Sequence, residues 1–437
     1  MSTTENKNYT VPIVMMIMLF AMISFVTNLA APVGVIWKNQ FAGSNTIGML
    51  GNLMNFAAYL FMGIPAGKLL SKRGYKVTAL IAVAVGFIGV GIQFLSGIAP
   101  TSEFLFSLPL NFYVYLLGAF VCGFCVCMLN TVVNPMLNTL GGGGRKGNQL
   151  LQIGGSFNSL AGTITPMLVG ALIGKVTKDT AISDVNPVLF IAMGVFAVAF
   201  IILSMVQIPE PHLEKASDVV NKVKDSFSAW SFKHFVLGAI GIFVYVGVEI
   251  GIPGTMNYFL EDAKAGNVGA TIAGFVTGTY WFLMLIGRFV GGFIGGKVSS
   301  KIMLTVASAV ALALVVAAIF SPITTTVSMP AFTGSSVAMV SVPISALFLV
   351  LCGLCTSVMW GGIFNLAVEG LGKYVASASG IFMMMVVGGG ILPLLQNVIA
   401  DATTYMTSYW IIFAGLAYLL YYAAIGSKNV NKDIPVE

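Results

Sequence analysis

Gly63-Ile-Pro-Ala-Gly-Lys68-Leu-Leu-Ser-Lys72 is answered later in the chain by Gly292-Phe-Ile-Gly-Gly-Lys297-Val-Ser-Ser-Lys301. The glycines, the lysines and the closing Ser-Lys fall in the same order, and from Lys68 to Lys297 the offset is 229 residues. Cys122-Gly-Phe-Cys125 is matched by Cys352-Gly-Leu-Cys355 at an offset of 230. Asn134 through Thr139-Leu140-Gly141 is echoed by Asn365 through Gly370-Leu371-Gly372 at 231. A spacing that stays within 229–231 over three segments marks a duplicated chain. Registering the halves on Pro32 and Pro253 places Asn28 opposite Glu249.

Outward from these segments the sequence is apolar nearly throughout. Hydrophobic residues make up 57% of the 437 positions and charged residues 8%, against roughly 25% charged in a soluble domain. Mean hydropathy is +0.95. So little charge cannot solvate a surface in water, so the solvent is lipid, and the 50 glycines suit close helix packing there. A bilayer core of about 30 Å takes roughly 20 apolar residues per helix. Twelve such stretches occur: 11–36, 46–70, 75–98, 108–140, 149–174, 185–207, 234–260, 267–296, 300–320, 338–371, 375–400 and 403–426. Long runs of this kind exclude the alternating short strands of a membrane barrel. The first run exceeds a signal-peptide core and lacks a small-residue cleavage site.

The expected architecture is an all-α membrane protein with twelve transmembrane helices in two pseudo-symmetric six-helix bundles. Residues 1–207 form the first bundle, 208–233 a polar linker with a surface-lying amphipathic helix, and 234–437 the second bundle and a short tail. Sixteen of the 21 Lys and Arg fall on the face of the N-terminus and linker, four (Lys38, Lys175, Lys178, Lys264) on the other, and Arg288 alone inside a span. The positive-inside rule then puts both termini in the cytoplasm of a bacterial inner membrane. The charge of +6 follows this topology and implies no nucleic-acid partner.

Repeated helical halves are the signature of secondary transporters. No nucleotide-binding loop accompanies them. No filter-like loop or charged ring suggests a channel, and no catalytic constellation suggests an enzyme. The five cysteines lie inside spans four and ten, which excludes a disulfide framework and favours packing. His212 and His234 lie in or beside the linker and read as solvated loop residues. Neither a metal nor a cofactor is expected, and the chain is read as a monomer.

Polar side chains inside a bilayer are costly and need a partner or a purpose. Amides are numerous there; an amide both donates and accepts, which suits a neutral polyol. The candidates for substrate contact are Asn28, Asn55, Asn130, Asn134, Gln152, Asn158, Asn365 and Gln396, although asparagine also ties helices together. Tyr280, Trp281 and Trp360 offer faces on which a sugar ring can stack, or serve as core. Trp37 and Trp410 read as interfacial anchors. Glu249 is the only carboxylate deep within a span, a candidate proton carrier or else a structural partner for Asn28. Lys68, Lys72, Arg73, Arg288 and Glu369 read as gate or loop charges, with Arg288 snorkelling from the eighth span.

The loop Gly67-Lys68-Leu69-Leu70-Ser71-Lys72-Arg73-Gly74-Tyr75-Lys76 resembles the signature loop of the major facilitator superfamily, with Ser71 where that family usually has Asp. Pro65-Ala66-Gly67-Lys68, Asn134-Pro135, Phe157-Asn158-Ser159, Tyr245-Val246-Gly247-Val248-Glu249, Gly287-Arg288-Phe289 and Gly388-Gly389-Gly390-Ile391 with Pro393 resemble, in order, the fucose:proton symporter family within it. That family also contains glucose/galactose transporters. The resemblance implies the major facilitator fold, with helices 1, 4, 7 and 10 around a central cavity. It also implies alternating-access transport of a small neutral sugar, by cation-coupled symport with a proton or sodium ion. Three departures stand out: Ala31 and Asn130 occupy the positions of the family's acids, and Gly155 replaces a glutamine. The alternatives are a facilitator or exporter of another small polar solute, such as a nucleoside or drug, and a non-transporting membrane sensor.

Overall fold

The computed structural model describes residues 9–105, 107–141, 144–173, 176–177, 179–210, 227–294, 297–431 and 433–436. His212 and most of the expected linker (211–226 of 208–233) lie outside them, and so does the side chain of Gln152. Among the described residues twelve helices are long and apolar enough to cross a membrane. They are α1 (Thr10–Gln40), α2 (Asn45–Leu70), α3 (Lys72–Ser96), α4 (Leu110–Leu137), α5 (Ile153–Ile173) and α6 (Ile182–Met205), then α7 (Lys233–Glu261), α8 (Ala270–Ile294), α9 (Ser300–Phe320), α10 (Ile344–Val368), α11 (Gly380–Ala402) and α12 (Tyr405–Gly426). The chain is a multi-pass membrane protein.

Lipid offers no hydrogen bonds, so helices must satisfy their own backbone or find a substitute. A proline leaves the carbonyl four residues earlier without its helical partner. Pro253 in α7 frees the Glu249 carbonyl, and the Tyr280 hydroxyl donates to it at 3.2 Å. Pro393 in α11 frees the Gly389 carbonyl, and Asn52 Nδ2 donates to it at 2.8 Å. Both repairs come from neighbouring helices, so each also fixes a helix contact.

The halves meet along two antiparallel seams. On the α5–α8 seam a Cβ at Gly170, Gly274 or Gly278 would lie within 2.9 Å of a carbonyl oxygen on the partner helix. On the α2–α11 seam Gly63 faces Met384 and Gly390 faces Leu53. Gly67, further along α2, has open space where a Cβ would stand. Within the first half, Gly123 of α4 lies directly on the Asn55 carbonyl of α2. Gly123→Val is therefore expected to cost about 1–3 kcal/mol by overpacking, with Gly67→Ala nearly neutral. Thermal unfolding of the two variants in detergent checks the difference.

Several expectations are corrected. Two short hairpins join spans, β1 (Glu103–Leu105) with β2 (Leu108–Pro109) and β3 (Thr326–Phe332) with β4 (Val337–Pro343). The tenth span therefore begins at Ile344, not 338; a short β-branched apolar run reads alike in a strand and a helix. Phe332 stacks on Phe282 of α8 at 4.5 Å and 5°, which seats the hairpin. Trp37 is no interfacial anchor: it is fully buried against Phe41, Phe112 and Tyr115. Trp410 is 43% exposed and edges onto Phe320.

His234 is not a solvated loop residue. It is buried in the first turn of α7, and its Nε2–H donates to the Glu369 carbonyl at the end of α10 (2.9 Å). Lys38 is not a loop charge either; it is buried in the last turn of α1. Gly74 breaks the helix at φ 81°, and Glu210 caps the restarted α3 by accepting from the Tyr75 N–H (2.5 Å) and Lys76 N–H (3.0 Å). The cysteines are buried packing residues, Cys122 against Gly89 and Cys125 against Gly86.

Candidate functional site

A cavity of about 210 Å³ lies between the two halves. From the first half it is lined by Phe20, Ile23, Ser24, Thr27 and Asn28 of α1, Phe56 and Tyr59 of α2, Asn130 and Asn134 of α4, and Gly155 and Asn158 of α5. The second half adds Val246, Glu249 and Ile250 of α7, Trp281 and Arg288 of α8, Ser357, Trp360, Gly361, Phe364 and Asn365 of α10, and Met383 and Val386 of α11. On α10 the lining reaches Asn365, close to the helix end on the face of the N-terminus and linker. On α1 it stops at Asn28 and on α7 at Ile250, well short of the opposite face. The cavity thus opens toward the linker face. Beyond it lies a pocket of about 20 Å³ touching Ala31, Asn52 and Trp281, room for about one water.

The amides are held in place by hydrogen bonds of their own. Asn134 Nδ2 donates to the Asn130 carbonyl (2.8 Å) and Oδ1 (3.3 Å), and Asn130 Nδ2 donates to the Tyr59 hydroxyl (2.8 Å). This string crosses from α4 to α2 along one wall. Asn158 Nδ2 donates to the Phe20 carbonyl (2.9 Å), and Asn28 Nδ2 to the Ser24 carbonyl (2.9 Å) and hydroxyl (3.0 Å). Asn365 Nδ2 reaches Ser300 Oγ at 3.5 Å near the mouth. Fixed amides of this kind present pre-oriented donors and acceptors to a ligand.

Glu249 pairs with Arg288, not with Asn28. The carboxylate and guanidinium lie 3.4 Å apart, with their side chains only 13% and 12% exposed. Arg288 Nη1 also donates to the Gly155 carbonyl at 2.6 Å, across the seam from α8 to α5. Snorkelling is therefore replaced by a cross-half contact, and a Cβ at residue 155 would already stand 3.4 Å from Nη1. Two aromatic faces flank the pair. Trp360 lies 6.1 Å from the Tyr245 ring, and Trp281 stands edge-on to Tyr280 at 5.4 Å, its buried Nε1 without a hydrogen bond.

Not every sequence candidate reaches the cavity. Tyr280 is buried behind Glu249, its hydroxyl 3.0 Å from Thr356 Oγ1. Asn55 is buried at the α2–α4 contact, and Gln396 is buried beside Gly251 with both amide atoms unbonded. Lys68, Lys72, Arg73 and Glu369 are exposed at helix ends on the linker face. Tyr59, Phe20, Phe364 and Ser24 escaped the sequence reading because aromatic and small residues are ordinary in any span. Arg288 carried a legible signal: a lone arginine within a span needs a countercharge, and Glu249 alone could give it.

On the opposite face the cavity is closed. Lys38 Nζ donates to the Tyr405 hydroxyl (2.5 Å) and lies 3.4 Å from Asp262 Oδ2 and from the Tyr258 carbonyl. Burial pushes the Asp262 carboxyl up, but the Lys264 backbone N–H, Lys38 and Tyr405 together outweigh it and hold the group below the usual carboxylate range.

A family model described as Major Facilitator Superfamily matches residues 13–394. A glucose/galactose transporter from Brucella abortus is 29% identical over 430 residues, 98% of this chain and 97% of that protein. The L-fucose-proton symporter of Escherichia coli is 22% identical over 424 residues, 91% and 89% of the two chains. The crystal structure of the E. coli fucose:proton symporter superposes with a TM-score of 0.67 at 18% identity, covering 97% of this chain and all of that one.

Proposed function

The chain belongs to the Major Facilitator Superfamily, and from that premise we propose that it carries a small neutral sugar across the membrane by alternating access and cation-coupled symport. The observation that carries this reading is the cavity's composition. Glu249 and Arg288 are the two charged side chains among its described lining residues, and they cancel, leaving amides and aromatic faces. A neutral polyol needs donors, acceptors and flat apolar surfaces but no net charge. A cavity of about 210 Å³ is about ten times the pocket that takes one water, which suits a monosaccharide. The relatives are named for glucose, galactose and fucose transport, so the substrate class is hexose, deoxyhexose or amino sugar.

The substrate would bind between Asn28, Asn130, Asn134, Asn158 and Asn365, with Trp281 and Trp360 as stacking faces. Glu249 takes the coupling role that Ala31 and Asn130 cannot. The bundles run over 1–207 and 234–437, joined by the linker 208–233, and rock about the cavity as a monomer. Both termini lie in the cytoplasm of a bacterial inner membrane and the conformation is inward-open; the crowding of basic residues on the linker face supports this orientation.

Uptake of radiolabelled sugars into proteoliposomes, with proton and sodium gradients imposed separately, tests the proposal. One gradient is expected to drive accumulation of a hexose; no accumulation or exchange of any hexose, deoxyhexose or amino sugar overturns it. Trp360→Ala is expected to weaken half-saturation by about fivefold, the worth of one ring contact at about 1 kcal/mol, with the maximal rate little changed.

A further inference from the structure

The face that closes the cavity is built from two devices, and both join opposite halves. The first is polar. Asp401 of α11 accepts from the backbone N–H groups of Asn45 and Thr46 (2.8 Å each), from Asn45 Nδ2 (2.7 Å), and from the hydroxyls of Thr46 (2.6 Å) and Ser44 (3.1 Å). A carboxylate of the second half thus caps the first turn of α2 in the first half, where orphan N–H groups favour an anion. Beside it Lys38 of α1 reaches Asp262 and Tyr405, and the Tyr405 hydroxyl lies 2.9 Å from Asn45 Oδ1. No cavity-lining residue takes part.

The second device is steric. Gly34 of α1 and Gly48 of α2 face each other and form a notch, and the Tyr258 ring of α7 ends in it. A Cβ at residue 34 would meet the Tyr258 hydroxyl directly, and one at 48 would stand 2.9 Å from it. The hydroxyl is buried and makes no hydrogen bond. It is placed by shape, packed with Val35 and Met49 over the small pocket.

We propose that the Asp401 cap and the Tyr258 plug in the Gly34–Gly48 notch are the gate that sets how often the cavity opens to the face opposite the linker. Each of the cross-half contacts must break when the halves part there, and none of them involves a residue that lines the cavity. The charged cap sets the opening equilibrium, and the plug makes closure watertight. This rests on the alternating-access reading but on no particular substrate.

The test uses the full-length protein in intact cells, with Ala31→Cys as reporter, since Ala31 lines the pocket just beneath the plug. The five native cysteines are buried, and the protein without the reporter gives the background. A membrane-impermeant maleimide is added outside, and the labelling rate is read. Asp401→Asn is expected to raise that rate about tenfold, the effect of weakening charge-assisted hydrogen bonds. Gly48→Ala, which crowds Gly34, the Tyr258 hydroxyl and the Lys38 stem without removing a charge or the Asp401 cap, is expected to raise it as well, so the proposal stands on two different variants. Unchanged labelling in whichever variant folds, judged by size-exclusion behaviour, overturns the gate. Faster labelling with no transport of any sugar leaves the gate standing and removes the proposed substrate instead.

Discussion

Glu249→Gln is expected to abolish gradient-driven accumulation while sugar exchange at equal concentrations survives. The amide keeps the size and the acceptor oxygen of the carboxylate, so Arg288, 3.4 Å away, retains a neutral partner. What the amide lacks is the ability to bind and release a cation between the two open states. A transporter so altered equilibrates its substrate without concentrating it, and net uptake falls to the level of passive entry. Exchange needs only loading, rocking and unloading, and is expected within about threefold of the parent, a change below 1 kcal/mol. Counterflow and gradient-driven uptake measured on the same proteoliposomes separate the two. If the variant still concentrates sugar, Glu249 is not the coupling group; if it loses exchange too, the residue holds substrate or structure instead.

Much of this site was legible in the sequence. Repeated Gly-Lys and Cys-Gly-x-Cys segments gave the two halves, because duplicated helices conserve the small residues at which they pack. Asn28, Asn130, Asn134, Asn158, Glu249, Trp281, Trp360 and Asn365 all line one cavity, because a polar group in lipid must find a wet or bonded place. Composition could not say which amides face the cavity: Asn55 and Gln396 are as polar as Asn134 but lie inside helix contacts. The partner of Glu249 was misassigned because the repeat register aligns positions in sequence, whereas a long arginine side chain crosses between helices to reach its acceptors. Lys38 was hidden for a related reason. A lysine near a span end reads as a loop charge until the opposite half supplies Asp262 and Tyr405.

Arg288→Met carries the largest expected cost to the folded protein. Both partners of the pair are almost wholly buried, and removing one strands the other's charge, a loss of about 3–5 kcal/mol for a buried pair. The Gly155 carbonyl also loses its 2.6 Å donor at the α5–α8 seam. Thermal unfolding in detergent is expected to fall by several degrees, and transport with it. Glu249→Gln/Arg288→Met removes both charges together, and is expected to recover most of the stability but none of the gradient-driven accumulation. That pattern makes the two substitutions non-additive by at least about 2 kcal/mol, the larger part of the loss and toward the upper end of the range for residues in direct contact. Arg288→Lys keeps the charge but not the planar fork that serves Glu249 and Gly155 at once, so it should fall between the parent and the methionine variant. Strictly additive losses would mean that the two residues act separately and that the cavity is not neutral by design. Recovery in the double variant would show that its neutrality comes from this one pair.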